Sequence, residues 1–272
     1  GEVGAAQKRC WSLISEYTRE NRLNLCYSFD LLSERFSADH LRSVINRSLQ
    51  QAPETWPCWA FSNHDVARSA SRLAPEGLSP EKMARLTMSL LLSLRGTPCI
   101  YQGEELGLEE ADVPFEQLQD PYGIEFWPAY AGRDGCRTPM PWNISEPYCG
   151  FTTGAQPWLP IPKEHKERSA SAQISCAEST LNFFRRLLAV RRNETCLQLG
   201  QMKILDTPSV VFGFERSFEG SSIQCHYNLS SEPIVIDRLP GPEAKMLNGS
   251  SLSWQDASAR IVLRAWDWIW VR

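Results

Sequence analysis

The sharpest chemical signal in the sequence is Asn63-His64-Asp65, which closes the apolar run Trp59-Ala60-Phe61. It presents an amide, an imidazole and a carboxylate in succession. His64 could donate to a hydroxyl of a sugar-like ligand. Asp65 could accept from two adjacent hydroxyls and favour an oxocarbenium-like transition state. Arg68, one short turn on, could orient that carboxylate bidentately, although a surface salt bridge is the plainer reading. Taken alone, an Asn-His-Asp triplet is more often a polar turn. A second candidate is Gly132-Arg133-Asp134-Gly135-Cys136-Arg137-Thr138-Pro139-Met140-Pro141-Trp142, two arginines and an aspartate among turn formers. It reads as a rigid, hydrogen-bonded loop, with a purely structural brace equally favoured. Glu2 is a third carboxylate, but a lone Glu beside a terminus is usually solvated and inert.

These residues need elements to position them. Residues 5–20 mix apolar and charged positions at helical spacing. Leu25-Cys26-Tyr27-Ser28-Phe29 reads as a buried strand. Ser37-Ala38-Asp39 opens a helix to about Gln51, which Pro53 stops. Trp56 to Ser62 is a second buried strand. Ser79-Pro80-Glu81 starts a helix that runs to Arg95, ended by Gly96. Pro98 to Tyr101 is a third strand. Strand, helix, strand, helix, strand predicts a parallel sheet covered by helices, with polar residues just after each strand, where α/β folds place their chemistry.

Residues 106–176 are rich in Pro, Gly and Trp and have little periodicity; their aromatic content argues for an ordered, functional loop. A helix is expected over 177–192. From Leu199 on, alternating strands dominate: 210–214, 223–227, 233–236 and 261–271. The expected division is 1–195 and 196–272, the second part a small antiparallel β domain that braces the 177–192 helix.

Composition narrows the classes. The chain has 272 residues, 42% hydrophobic and 22% charged, as in an ordinary globular protein. Its net charge of −4 gives no electrostatic footprint for nucleic acid or an anionic membrane. The longest apolar run, Met88 to Leu94, is far short of a bilayer span. Nine cysteines form no Cys-x-x-Cys pair, and with four histidines no zinc spacing arises. They read as free thiols in a reducing cytoplasm. No metal or cofactor is expected. Gly1-Glu2-Val3-Gly4 has neither a start methionine nor a signal-peptide shape, so the chain is expected to begin within a longer sequence.

Three runs in order carry a resemblance: Ala60-Phe61-Ser62-Asn63-His64-Asp65, then Arg95-Gly96-Thr97-Pro98-Cys99-Ile100-Tyr101-Gln102-Gly103-Glu104-Glu105-Leu106-Gly107, then Gly132 to Trp142. Together they resemble the α-amylase family, glycoside hydrolase family 13. The Arg-Thr-Pro-Met-Pro-Trp ending and Tyr27-Ser28-Phe29-Asp30-Leu31-Leu32 are similar to its α-glucosidase and oligo-1,6-glucosidase branch. The resemblance implies an α/β fold, the C-terminal half of a TIM-type (β/α)8 barrel followed by a small antiparallel β-sandwich. Residues 1–195 would run from the end of the fifth barrel strand to the eighth helix, and 196–272 would form the sandwich.

The same resemblance implies catalytic roles for Glu2, as general acid/base, and for Asp65, as transition-state stabiliser. It implies substrate contacts at Asn63, His64, Arg68 and Phe29, with a small oligosaccharide as partner. The family's nucleophilic aspartate lies earlier in the chain, and this sequence has nothing there. The implied activity is therefore a retaining α-glucosidase of which these residues alone are inactive. A non-catalytic α-amylase-like partner protein, or a sucrose isomerase or other transglycosylating relative, is the alternative.

Overall fold

The computed structural model describes residues 1–4, 7–237, 239, 245–249, 254–255 and 260–272. In chain order the first elements are β1 (Glu2–Val3), α1 (Gln7–Tyr17), β2 (Tyr27–Ser28), α2 (Ala38–Gln51) and β3 (Cys58–Trp59). They are followed by α3 (Ser69–Arg72), α4 (Pro80–Ser93) and β4 (Thr97–Pro98). The long segment after β4 holds only short helices, α5 (Pro121–Glu125), α6 (Lys163–Glu167) and α7 (Ala170–Ile174), before α8 (Thr180–Asn193) and α9 (Thr195–Leu199). The rest is strand: β5 (Gln201–Ile204), β6 (Val211–Phe218), β7 (Ser221–Asn228), β8 (Ile234–Ile236), β9 (Met246–Gly249), β10 (Trp254–Gln255), β11 (Arg260–Leu263) and β12 (Trp268–Val271). Residues 5 and 6, at the start of the helix expected over 5–20, lie outside the described residues. Among the described residues no helix is long and apolar enough to cross a membrane.

The chain divides into two compact units. A strand-rich unit comprises 1–60, 89–99 and 187–272, and a loop-rich unit comprises 61–88 and 100–186. This division differs from a cut at 195/196, because the antiparallel strands group with the parallel ones.

In the strand-rich unit, β1 to β4 pair in parallel in sequence order. The expected strands over 25–29 and 56–62 shorten to two residues each. Helix α1 buries Cys10, Trp11 and Ile14, and α2 buries Leu41, Val44, Ile45 and Ser48, both at the i, i+3, i+4 spacing of one helix face. Ser37 caps α2, its hydroxyl accepting from the His40 amide at 3.2 Å. The rings of Trp11 and Trp59 meet at 5.1 Å, and the Trp59 indole donates to the Arg95 carbonyl at 2.8 Å.

The later strands form a five-stranded sheet in the order β5-β6-β7-β12-β9 and a three-stranded sheet in the order β10-β11-β8. Val211, Ile236, Ile261, Leu263, Ile269 and Val271 come from both sheets and share one core. The stretch expected as a single strand over 261–271 is two strands, β11 and β12, separated by a turn at Trp266 with φ 54°.

The antiparallel sheet is hydrogen-bonded to α2 and α4. The buried Tyr227 hydroxyl lies 2.6 Å from the Ser93 hydroxyl, donates to the Ser89 carbonyl and accepts from the Trp270 indole. Arg216 donates to the Ser93 carbonyl at 2.7 Å and the Gly200 carbonyl at 2.9 Å. Arg42 of α2 donates to the carbonyls of Pro208 and Ser209. The bonds therefore run to α2 and to the last turn of α4, where helix-end carbonyls lack partners of their own.

Candidate active site

The loop-rich unit holds Asn63, His64, Asp65 and Arg68. Beyond β3 the chain runs through buried Ala60, Phe61 and Ser62 into the polar triplet. The Ser62 hydroxyl accepts from the Ser69 amide at 2.9 Å, which ties the start of this loop to the start of α3. Asn63 is buried, and its side-chain oxygen accepts from the Asp65 amide at 2.9 Å. That Asx turn swings the next two side chains outward. His64 and Asp65 are 54% and 42% exposed, with Nε2 of one 3.6 Å from Oδ2 of the other.

Two arginines of the Gly132–Trp142 run clamp the loop. Arg133 Nη1 donates to Asp65 Oδ1 at 3.0 Å, and Arg137 Nη2 donates to the same oxygen at 3.1 Å. Arg137 Nε also donates to the His64 carbonyl at 2.7 Å. Both guanidinium bonds therefore fall on one carboxylate oxygen, and Oδ2 lies beside the His64 ring. A fixed anionic oxygen next to an imidazole suits a ligand that offers neighbouring hydroxyls.

Arg133 is itself held. Asp120, whose side chain is fully buried, accepts from Arg133 Nε, Nη2 and backbone N, each at 2.8 Å. These bonds hold the Asp120 carboxyl far below the usual carboxylate range and raise the Arg133 guanidinium. Asp134 Oδ2 accepts from the amides of Gln119 and Asp120. Gly132, at φ +79°, permits the approach: a Cβ there would lie 2.8 Å from Gly123 Cα and 3.0 Å from Asp120 Oδ2.

Arg68 does not pair with Asp65, which corrects the expectation drawn from spacing. It is 1% exposed, and its guanidinium donates to the carbonyls of Gln102 at 2.6 Å and Cys136 at 2.9 Å. Backbone carbonyls of two loops offer it a buried site that a half-exposed carboxylate does not. Burial lowers its pKa. Gly103, at φ +90°, makes room, since a Cβ would come within 2.7 Å of Arg68 Nη1. Nearby, buried Glu104 accepts from the Tyr101 amide and the Ser69 hydroxyl, and burial raises its carboxyl above the usual range.

His165 closes the far side of the Gly132–Trp142 run. Its Nε2 lies 2.9 Å from the Glu109 carbonyl, so that nitrogen carries the proton. Its Nδ1 then accepts from the Thr138 hydroxyl at 3.2 Å. Burial of this neutral tautomer pushes the pKa down to about 4.

Glu2 and Phe29 belong to the strand-rich unit. Glu2 on β1 is exposed and accepts from the Tyr27 hydroxyl. Phe29, 41% exposed, stands against the Tyr27 ring with centroids 5.9 Å apart. The residues that sequence reasoning missed are Asp120, and Arg133 and Arg137 as the partners of Asp65. The available signals were the Asp120-Pro121 helix start and the arginines among turn formers.

Residues 12–200 match the model of the alpha amylase catalytic domain. The chain belongs to the α-amylase family. It is 41% identical, over its whole length, to a probable alpha-glucosidase of Rhizobium meliloti, covering 49% of that protein. It is 28% identical over 97% of its length to an oligo-1,6-glucosidase of Heyndrickxia coagulans, covering 53% of it. Among solved structures, an alpha-glucosyl transfer enzyme, XgtA, superposes on all of the chain with a TM-score of 0.88 and 39% identity, and the chain covers 50% of it. The chain thus spans about half the length of the family members it matches.

Proposed function

We propose that these residues are the part of a retaining α-glucosidase that carries the general acid/base and the transition-state-stabilising carboxylate. The substrates are small oligosaccharides cleaved at terminal α-glucosidic bonds. The observation that carries the reading is Asp65, a half-exposed carboxylate at the exit of a parallel strand, with one oxygen clamped by two arginines and the other beside the His64 imidazole. In this reading β1 to β4 are the last four strands of a (β/α)8 barrel, and 196–272 form its C-terminal β-sandwich. The parallel order of β1 to β4 and the shared core of the two antiparallel sheets support it. A cytoplasmic setting is part of the proposal: nine unpaired thiols fit a reducing compartment.

The chemistry follows from two carboxyl groups about 5–5.5 Å apart across the scissile bond. Glu2 protonates the leaving glycosidic oxygen while a nucleophilic carboxylate attacks the anomeric carbon. Glu2 then takes a proton from the water that releases the sugar. Asp65 accepts from two ring hydroxyls more strongly as positive charge grows on the sugar, His64 donates to a hydroxyl, and Phe29 offers a flat apolar face. Asn63 and Arg68 act beneath them, shaping the loop. The nucleophile is assigned to residues outside these 272, in keeping with the half-length match to relatives.

The test compares two proteins. The purified 272-residue chain should leave p-nitrophenyl α-glucoside intact. The protein expressed from its full reading frame should hydrolyse it and release α-glucose first, as followed by proton NMR. Turnover by the chain alone, or release of the β-anomer, would overturn the reading. A second reading, glucosyl transfer, is favoured by the 39% identity to the alpha-glucosyl transfer enzyme. It uses the same residues with a sugar hydroxyl in place of water, and chromatography of products made with excess glucose separates the two.

A further inference from the structure

We propose that Asp120 is a positioning residue that sets Arg133 and, through it, the Oδ1 oxygen of Asp65. The inference rests on Asp65 being a working carboxylate, the reading above. It concerns how that carboxylate is aimed.

Arginine presents its N–H groups in a rigid planar fork. In Arg133 the Nε and Nη2 edge is taken by the two oxygens of Asp120, each at 2.8 Å. The remaining nitrogen, Nη1, is therefore aimed, and it meets Asp65 Oδ1 at 3.0 Å. The face of the fork is also covered: the Tyr122 ring lies 5.2 Å from Arg133 Cζ. Asp120 in turn is fixed by its own amide on Asp134 Oδ2 at 2.8 Å and by the Tyr122 amide on its Oδ1 at 3.3 Å. The chain of restraint runs from a side chain that is fully buried to one that is 42% exposed.

Arg137 cannot serve in the same way. Its two side-chain hydrogen bonds go to the His64 carbonyl and Asp65 Oδ1, both in the loop that has to be positioned. Its guanidinium follows that loop wherever it moves. Arg133 is the guanidinium on Asp65 whose other bonds lie outside it. With Asp120 neutralised, Asp65 keeps Arg137 and loses its fixed reference.

The experiment uses the protein expressed from its full reading frame, with p-nitrophenyl α-glucoside as substrate and thermal melts run on every variant. Asp65→Asn must first abolish most turnover. If it does not, the reading of Asp65 fails whatever Asp120 does. Asp120→Asn is then expected to lower kcat and kcat/KM together by about 10- to 100-fold, as misplacement of a group that acts in the transition state does. Arg133→Met, which breaks the link from its more exposed end, is expected to give the same loss. The double variant should be no worse than either single one, because both cut the same link. If Asp120→Asn proves unfolded at the assay temperature, Arg133→Met alone decides: wild-type kcat overturns the proposal. Losses that multiply in the double variant, a change in KM alone, or wild-type kcat in a folded Asp120→Asn overturn it as well.

Discussion

The two units bury charge in different ways, and the difference follows from what their backbones leave unpaired. In the strand-rich unit, helices and sheets satisfy most of their own amides, and what remains are mainly carbonyls at element ends, with the Trp268 amide, which buried Asp267 accepts, as an exception. Arginines answer them: Arg95 donates to the carbonyls of Pro53 and Thr55, Arg191 to those of Leu92 and Gly96, and Arg216 to those of Ser93 and Gly200. The loop-rich unit uses such braces too, at Arg68 and Arg168. Its irregular chain also leaves amides unpaired, and carboxylates accept them: buried Asp134, Asp120 and Glu104 and half-buried Glu110 each take at least one backbone N–H. A unit made of loops is therefore held by acceptors that carry charge, and the clamp on Asp65 grows out of that network.

Removal of one charge from each unit should have the largest effect. Asp120→Ala strips Arg133 of its bidentate partner and leaves two amides without an acceptor. Breaking a buried pair from one side costs about 3–5 kcal/mol, and the loss here falls at the lower end because Arg133 is partly exposed and keeps Asp65. Arg216→Met removes a buried cation with no carboxylate partner among its hydrogen bonds and fills the space with a flexible apolar chain. Its burial already lowers the guanidinium pKa to about 9, a sign that the charge is poorly accommodated. The expected loss is less than half that of Asp120→Ala, because a desolvation cost disappears with the two bonds. Urea unfolding followed by tryptophan fluorescence measures both. Equal losses would remove the distinction.

How much of this could be read from sequence depends on the range of the interactions. Helix α2 declares itself through Ser37, the spacing of Leu41, Val44, Ile45 and Ser48, and the stop near Pro53, all local signals. The long antiparallel strand β7 alternates visibly as Ile223-Gln224-Cys225-His226-Tyr227-Asn228, whereas β6 opens on an apolar run. The parallel strands are two residues long, too short for any period to show their ends. The clamp was least legible. Asp65 and Arg133 are 68 positions apart, and Arg68, three positions from Asp65, made the more obvious partner. Spacing along a chain says little about a guanidinium when two buried carbonyls compete for it.

Acid titration gives a middle-sized effect in both units. His165 in the loop-rich unit and His226 in the strand-rich unit are both buried neutral, with pKa values pushed down to about 4. An unfolded histidine titrates near its ordinary value of about 6.5, so below that pH the unfolded state binds the proton first. Stability from each group is present above pH ~6.5 and lost as pH falls toward ~4, by about 3 kcal/mol apiece. Glutamine, neutral throughout, should flatten the acid limb at either site. At pH 7 the two variants should differ. His165→Gln disturbs bonds to both Thr138 and the Glu109 carbonyl, whereas the His226 ring meets Gln224 and leaves Nδ1 buried without a partner. His165→Gln is expected to cost about 1–2 kcal/mol more at neutral pH. A crossing of the two stability curves near pH 4 to 5 would contradict this ordering.

The smallest effect isolates capping from charge. Ser37 and Asp120 are both helix N-caps: Ser37 accepts the His40 amide ahead of α2, and Asp120 accepts the Tyr122 amide ahead of α5. If capping were the main work of Asp120, the two alanine variants would match. Ser37→Ala should cost only about 1 kcal/mol, because the 14 residues of α2 remain anchored by their buried face and water can reach the freed amide. Helix α5 has five residues and buries only Gly123, so it offers little packing to anchor and little helix to lose. A large cost at Asp120 therefore has to come from Arg133 and the loop beyond it. Comparable losses at the two caps, read from the same urea curves, would shift Asp120 from the charge network to ordinary capping, and the link to Asp65 would lose its energetic basis.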